Sequence, residues 1–301
     1  MTTDITTQQT PPTTSPAGPS PTGPAGTTPT TTRASHGRAI SAPERPPTAI
    51  ATAAAYAGRT LRQYIRTPQL IIVNSVTSIM FLLIFRYVFG GAINTNGVPY
   101  ANFLIPSLAA VSGLFAGGVV GVAEDAESGF FDRLRSLPVP RAAVMLGRSV
   151  ADTVLITWGS VVTIVVGFAV GFRPKGGVAA LLLAFVLCIA YAAALSWLQI
   201  FLGLMAGTAQ AAQGLSFSVF PLIFVSSAYV PVQSMPGWLQ PIARQQPVTA
   251  MVDAVRALVI GGDTEALFGS SQGTLVLKAV AWSVAIAVVF AGLSVRNFNR
   301  R

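Results

Sequence analysis

The sequence predicts an all-α membrane protein with six transmembrane helices and both termini on the cytoplasmic side. Three observations carry that expectation. Of the 301 residues, 52% are hydrophobic and 10% are charged, against about 25% charged in a soluble domain. The charges are clustered, so that none occurs from Gly176 to Ala243, and uncharged apolar runs of that length read as membrane helices. Once the spans are drawn, the 19 Lys and Arg residues divide 13 to 6 between the two faces, which places the richer face inside.

Residues 1–48 are rich in Thr, Pro, Gly and Ser. They hold too little apolar surface to offset the entropy of ordering, so a disordered cytoplasmic tail is expected. Its start, MTTD, lacks the basic and apolar regions of a signal peptide. His36, the one histidine, falls in this tail. The membrane domain is residues 49–301. Ala51 to Thr67 is patterned as an amphipathic helix, with Arg59, Arg62 and Arg66 on one face and Ala57, Leu61, Tyr64 and Ile65 on another. Pro68 ends it. Such a helix lies at the lipid surface or meets a cytoplasmic partner, and the two are compatible.

The first span is expected at 69–88. Its Asn74, Ser75, Thr77 and Ser78 suit a face turned to protein, and Arg86 can snorkel. The turn-rich run Gly90 to Pro99 leads to a second span at 101–123, where Gly113, Gly117, Gly118 and Gly121 allow close helix packing. A third span follows at 150–172, and the turn Arg173 to Gly177 leads to a fourth at 178–205. Gly207 to Gly214 reads as a short turn, and a fifth span as 215–230. An outer region punctuated by Pro231, Pro236, Pro241 and Pro247 precedes the sixth span, 275–295. Within that region Pro247 to Ile260 has Val248, Met251, Val252, Val255 and Leu258 on one helical face. It is too short to span and reads as a re-entrant or surface helix.

Between spans two and three, Glu124 to Asp152 holds nine charged residues. Each ionised side chain costs about 2.5–3.5 kcal/mol at the bilayer centre, so this segment must project into water. Phe130, Leu134 and Leu137 recur at i, i+4 and i+7, an apolar stripe. Gly129 frees the backbone after the acidic cluster Glu124, Asp125 and Glu127. Pro138 and Pro140 end the helix. Periodicity alone leaves two readings: a helix resting on the bilayer, or apolar knobs for a partner's groove with charges that set register.

Several chemistries are excluded. Lys175 and Lys278 precede Gly176 and Ala279, so neither belongs to a phosphate-binding Gly-Lys-Ser/Thr loop. One histidine and one cysteine, Cys188, make neither a metal site nor a nucleophilic triad. Asp152 and Lys278 are placed close to an interface and Asp253 and Arg256 outside, so no buried acid marks an ion relay. The net charge of +9 comes from arginines beside the spans, where anionic headgroups account for it, and no nucleic-acid partner is expected.

The pattern Glu124-x-x-Glu127-x-Gly129-x-x-Asp132-Arg133-Leu134, then Ser136-Leu-Pro138-Val-Pro140-Arg and Gly147-Arg148-x-x-x-Asp152, resembles type-2 ABC exporter permeases of the daunorubicin/doxorubicin resistance branch. Downstream, Ser227-Ala-Tyr-Val-Pro231, Met235-Pro-x-Trp-Leu239, Gln246-Pro-Val-Thr249 and Arg256-Ala-Leu258 extend the resemblance over roughly residues 55–300. The resemblance implies that Glu124 to Pro140 is a coupling helix on a separate ATPase. Glu124, Asp125, Glu127, Gly129, Phe130, Asp132, Arg133, Leu134, Leu137 and Pro138 then carry the coupling. It implies an interfacial helix bearing Arg59, Arg62 and Arg66, and an extracellular re-entrant segment at 230–262. ATP and Mg would bind the partner, with no cofactor in this chain. Two ATPase copies, a second permease copy in a homodimer, membrane lipids and a hydrophobic or amphipathic substrate complete the expected assembly. Asn74, Phe115, Gln199, Phe217 and Phe220 are candidates to line the pathway, with plain helix packing as the competing role. Export of a lipid or lipid-linked glycan is the alternative within transport, and a membrane scaffold or sensor the alternative outside it.

Overall fold

The computed structural model describes residues 48–93, 95, 97–135, 140–262 and 268–300. The expected tail, Leu137 and Pro138 lie outside them, as do the side chains of Phe115, Asp132 and Leu134. Among the described residues there is no strand.

Helix α1, Ala49–Arg66, starts where the Thr48 hydroxyl accepts from the Ala51 N–H. Ala53, Tyr56, Ala57, Thr60 and Tyr64 recur every three or four residues and are buried, so one stripe packs, and it packs on α6. Ile65, expected on the apolar face, is 71% exposed, because it falls outside that stripe. Pro68 opens α2, Pro68–Leu83, which continues as a π-helical turn over Ile84–Phe89.

The second span is not one helix. It comprises α3, Tyr100–Val111, a 3-10 turn at Ser112–Phe115, and α4, Gly118–Glu127. Gly117, at φ +69°, takes the left-handed conformation that a residue with a Cβ resists. The expected close packing is there too: a Cβ on Gly113 would lie 2.8 Å from Ile156. Helix α5, Phe130–Arg135, follows.

Helix α6, Arg141–Ala169, begins well before the Val150 expected for span three. The boundary moves because Arg148 and Asp152, four residues apart, neutralise each other on the helix and are carried inside. Helix α7 is Gly177–Ala206. The expected turn at 207–214 shrinks to Gly207 and Thr208: Thr208 caps α8, Ala209–Ser218, and α9, Phe220–Phe224, completes a short apolar pair. Residues 225–230, expected as the end of span five, are not helical.

After α10, Gln240–Gln245, comes α11, Pro247–Ile260. It is buried on nearly all sides between α3, α7 and α12 (Gln272–Arg300), which removes the option of a surface helix. The Lys175 and Gly176 N–H groups both donate to the Val259 carbonyl at 3.0 Å and tie the α6–α7 turn to the end of α11. Among the described residues five helical segments are long and apolar enough to cross a membrane, and Ala209–Phe224 is a shorter apolar one. Outward apolar side chains such as Val178, Leu182, Val186, Val284 and Val288 are exposed in the isolated chain, as on helices that face lipid.

Candidate functional site

The charged segment folds back on its own bundle. Arg148, with 4% of its side chain exposed, joins three helices. Its Nη1 donates to Asp125 Oδ2 on α4 at 2.6 Å and to the Gly121 carbonyl at 3.3 Å. Its Nε donates to Asp152 Oδ1 and Oδ2 at 3.1 and 3.0 Å. From α1, the Tyr56 hydroxyl donates to Asp125 Oδ2 at 3.2 Å, and the Tyr64 hydroxyl donates to Asp152 Oδ1. Burial first, and then the adjacent aspartate charge, raise both hydroxyls above the ordinary tyrosine range, so they remain protonated donors. One buried cation faces two carboxylates; Arg59, 4.0 Å from Asp125, adds a second positive charge at the rim. Small residues allow the approach. A Cβ on Gly121 would meet the Arg148 guanidinium at 2.5 Å, and one on Gly147 would meet the Ala53 carbonyl at 2.5 Å.

The predicted coupling residues therefore face different ways. Asp125 is internal, in the hub. Glu124 and Arg133 are exposed. Glu127 is exposed as well, and its Oε2 accepts from the Ala209 N–H at 3.0 Å. Gly129 takes φ +68° and turns the chain from α4 into α5. Phe130, expected to point to a partner, stacks on Tyr56 with ring centroids 5.8 Å apart, and the Arg59 guanidinium lies 3.9 Å above its ring. Phe131 is buried edge-on against Phe298 at 5.3 Å. On α1, expected as an interfacial helix, Arg62 and Arg66 are exposed.

A second feature lies at the break in span two. Backbone freed from helical pairing at membrane depth needs partners inside the protein. Here the Gly113 carbonyl accepts from Gln199 Nε2 on α7, and the Ala109 carbonyl accepts from the hydroxyls of Ser112 and Ser160. Beside the break is a cavity of about 260 Å³ between α2, α4, α7, α8 and α9. Aliphatic and aromatic groups dominate its wall, with Gln199, Gln213 and Ser216 as polar members and no charged residue. Of the predicted pathway residues, Gln199, Phe217 and Phe220 line it. Asn74 does not: it is buried against α6, its Nδ2 donating to the Leu155 carbonyl at 3.2 Å. The backbone of Phe115 sits in the 3-10 turn at the break.

At the opposite end of the bundle Arg256 is 1% exposed. Its Nε donates to the Phe103 carbonyl at 2.8 Å, and its Nη2 donates to the carbonyls of Ser227 and Ala228 at 2.7 and 2.9 Å. It lies over the Phe103 ring at 3.4 Å and pairs with Asp253 at 3.5 Å. Sequence reasoning placed Arg256 outside and missed this role, although an arginine within an otherwise apolar short helix was a signal. The hub around Arg148 was also missed as a pairing, and there the i, i+4 spacing of Arg148 and Asp152 was the signal.

Long apolar helices, a span broken beside a neutral cavity, and buried ionic ties at either end together describe a multi-pass membrane protein. The comparison with known families agrees and is more specific: residues 53–260 match the ABC-2 type transporter model. The chain belongs to that family. It is 30% identical over 267 residues, 87% of its length and 92% of the relative's, to the daunorubicin resistance ABC transporter permease protein DrrB1 of Streptomyces coeruleorubidus. It is 25% identical over 236 residues, 77% of the chain and 83% of the relative, to a probable doxorubicin resistance ABC transporter permease protein, DrrC, of Mycobacterium tuberculosis H37Rv. A probable multidrug ABC transporter permease of Escherichia coli K12, YbhR, is 24% identical over 194 residues, 63% of the chain and 52% of the relative.

Proposed function

We propose that this chain is the transmembrane subunit of a bacterial plasma-membrane exporter that moves amphipathic drugs or lipid-like molecules outward. It pairs with a second copy, and a separate ATPase, present twice, binds ATP and Mg. The cavity at the broken second span carries this reading. Its wall is apolar with three uncharged polar groups, which suits a planar or lipid-like amphiphile of the kind named for the daunorubicin and doxorubicin resistance relatives. At about 260 Å³ it is slightly smaller than a drug-sized site of about 300–1,000 Å³. Phe217 is 64% exposed at its edge, and Gln213, Gly214 and Ser218 on the same short helix are exposed as well. A second copy set against α8 and α9 would cover them and enlarge the space.

The charged end faces the cytoplasm, in keeping with the basic residues counted there. Glu124, Asp132, Arg133 and Leu134 would meet the ATPase, while Asp125 and Phe130 hold the elbow on α1 and α6. Arg62 and Arg66 turn to anionic headgroups. ATP binding draws the ATPases together, the elbow follows, and the cavity alternates between inward and outward access.

The test uses inverted membrane vesicles containing the chain and an ABC ATPase, with daunorubicin as fluorescent probe. ATP-dependent uptake is expected, weakened by Gln199→Leu and by Phe217→Ala through a raised KM. Uptake that needs no ATPase, or probe affinity that ignores both substitutions, refutes the reading.

A further inference from the structure

The last turn of α4 forks. Asp125 points to Arg148 on α6. Glu127, two residues on, points the opposite way, and its carboxylate accepts from the Ala209 N–H, the first of α8, at 3.0 Å. The Thr208 hydroxyl accepts from the Ala211 N–H at the same terminus, at 3.2 Å. The first amides of a helix have no partner within it, and a carboxylate there also meets the positive end of the helix dipole. The bond is not an isolated touch. Helices α4 and α8 share a buried apolar cluster of Val119, Ala123 and Ala212, with Val120, Leu202 and Ala206 packed around it.

The other end of α8 is jointed. It stops at Ser218, and Pro221, which has no N–H to donate, stands at the start of α9. Between the two ends, Gln213, Ser216 and Phe217 of α8 form part of the cavity wall. Helix α8 thus meets α4 through Glu127 and the shared apolar cluster at one end, gives way to α9 at the other, and lines the cavity with Gln213, Ser216 and Phe217 between them.

We infer that Glu127 is a positioning residue that transmits elbow movement directly to the cavity wall by carrying α8 with α4, and that it is not part of the surface gripped by the ATPase. This rests on the exporter reading above. It divides the elbow's work: Asp125 ties the elbow to α1 and α6, and Glu127 ties it to the wall that meets the transported molecule.

The test compares Glu127→Ala, which removes the acceptor, with Glu127→Gln, which keeps an acceptor without charge. Both are measured in the vesicle assay above, and the parent chain and both variants carry a Ser218→Cys reporter on the exposed end of α8, outside the cavity lining. In Glu127→Ala, transport per ATP hydrolysed is expected to fall at least tenfold, with half-saturating probe concentration unchanged within twofold and the ATPase still co-purifying. ATP is expected to change maleimide labelling of the reporter in the parent chain and not in Glu127→Ala. Glu127→Gln should recover at least half of the lost transport. Loss of ATPase co-purification in Glu127→Ala would return Glu127 to the docking surface and overturn the inference. So would an ATP-dependent labelling change that survives in Glu127→Ala, which a mere helix cap would leave intact. A parent chain that transports nothing with ATP overturns the exporter reading and this inference with it.

Discussion

Replacing Arg148 with methionine should cost more than any other single change at the charged end of the bundle. The guanidinium has 4% side-chain exposure and contacts Asp125 and Asp152 at 2.6 and 3.0 Å. Methionine fills similar space but leaves two carboxylates buried together, and it strips the Gly121 carbonyl of a donor. Removing one partner of a buried ion pair costs about 3–5 kcal/mol, most of it the desolvation of the charge left behind. At about 2–4 °C per kcal/mol for a chain of this size, the melting temperature should drop by roughly 10 °C. The cost lies in unpaired charge and not in lost volume, so adding Asp125→Asn and Asp152→Asn should recover more than half of it. Thermal unfolding of the detergent-purified protein, followed by intrinsic fluorescence, measures both. A single variant melting within about 2 °C of the parent, where roughly 10 °C is expected, would show that the hub is not under tension. A triple variant no more stable than the single would show that packing, not charge, holds it.

Three further outcomes follow from the geometry. Gly147→Ala should lower stability by about 1–3 kcal/mol, as overpacking does, because its Cβ would lie 2.5 Å from the Ala53 carbonyl, and α1 should become more sensitive to limited proteolysis. Tyr56 and Tyr64 have hydroxyl pKa values raised by burial, so their contribution is present below the unfolded value near 10 and is lost as pH climbs above it; the parent should lose stability in that alkaline range, and Tyr56→Phe/Tyr64→Phe should flatten the loss. Arg256→Met should leave the Phe103, Ser227 and Ala228 carbonyls without their charged donor and cost about 3 kcal/mol, read as a lower melting temperature that Asp253→Asn does not reproduce.

Most of the helices were legible because apolar length and charge placement fix them: Pro68–Phe89, Gly177–Ala206 and Gln272–Arg300 coincide within a few residues with three apolar runs read from the sequence. What misled was local chemistry. Span three was drawn from Val150, yet helix α6 already begins at Arg141, since an arginine with an aspartate four residues on can be buried as a pair. Gly207 to Gly214 has turn composition, but Thr208 is an N-cap and alanines follow, so a helix begins there. The glycines of span two were read as packing residues, and only a left-handed backbone at Gly117 reveals a break, which composition cannot show. At the elbow, the acidic residues were visible as a group. Their division between Arg148 and the α8 terminus depends on contacts across 23 and 82 positions of sequence, which no local pattern encodes.

The two-piece second span has a mechanical consequence. Its first piece is fastened by Arg256 at Phe103, and its second by Arg148 at Gly121 and Asp125. The fastenings lie at opposite ends of the bundle, and the joint at Gly117 between them borders the cavity. A continuous rod would transmit any tilt of one end to the other. With a joint at Gly117, the half held at Phe103 need not follow a tilt of the half held at Gly121 and Asp125.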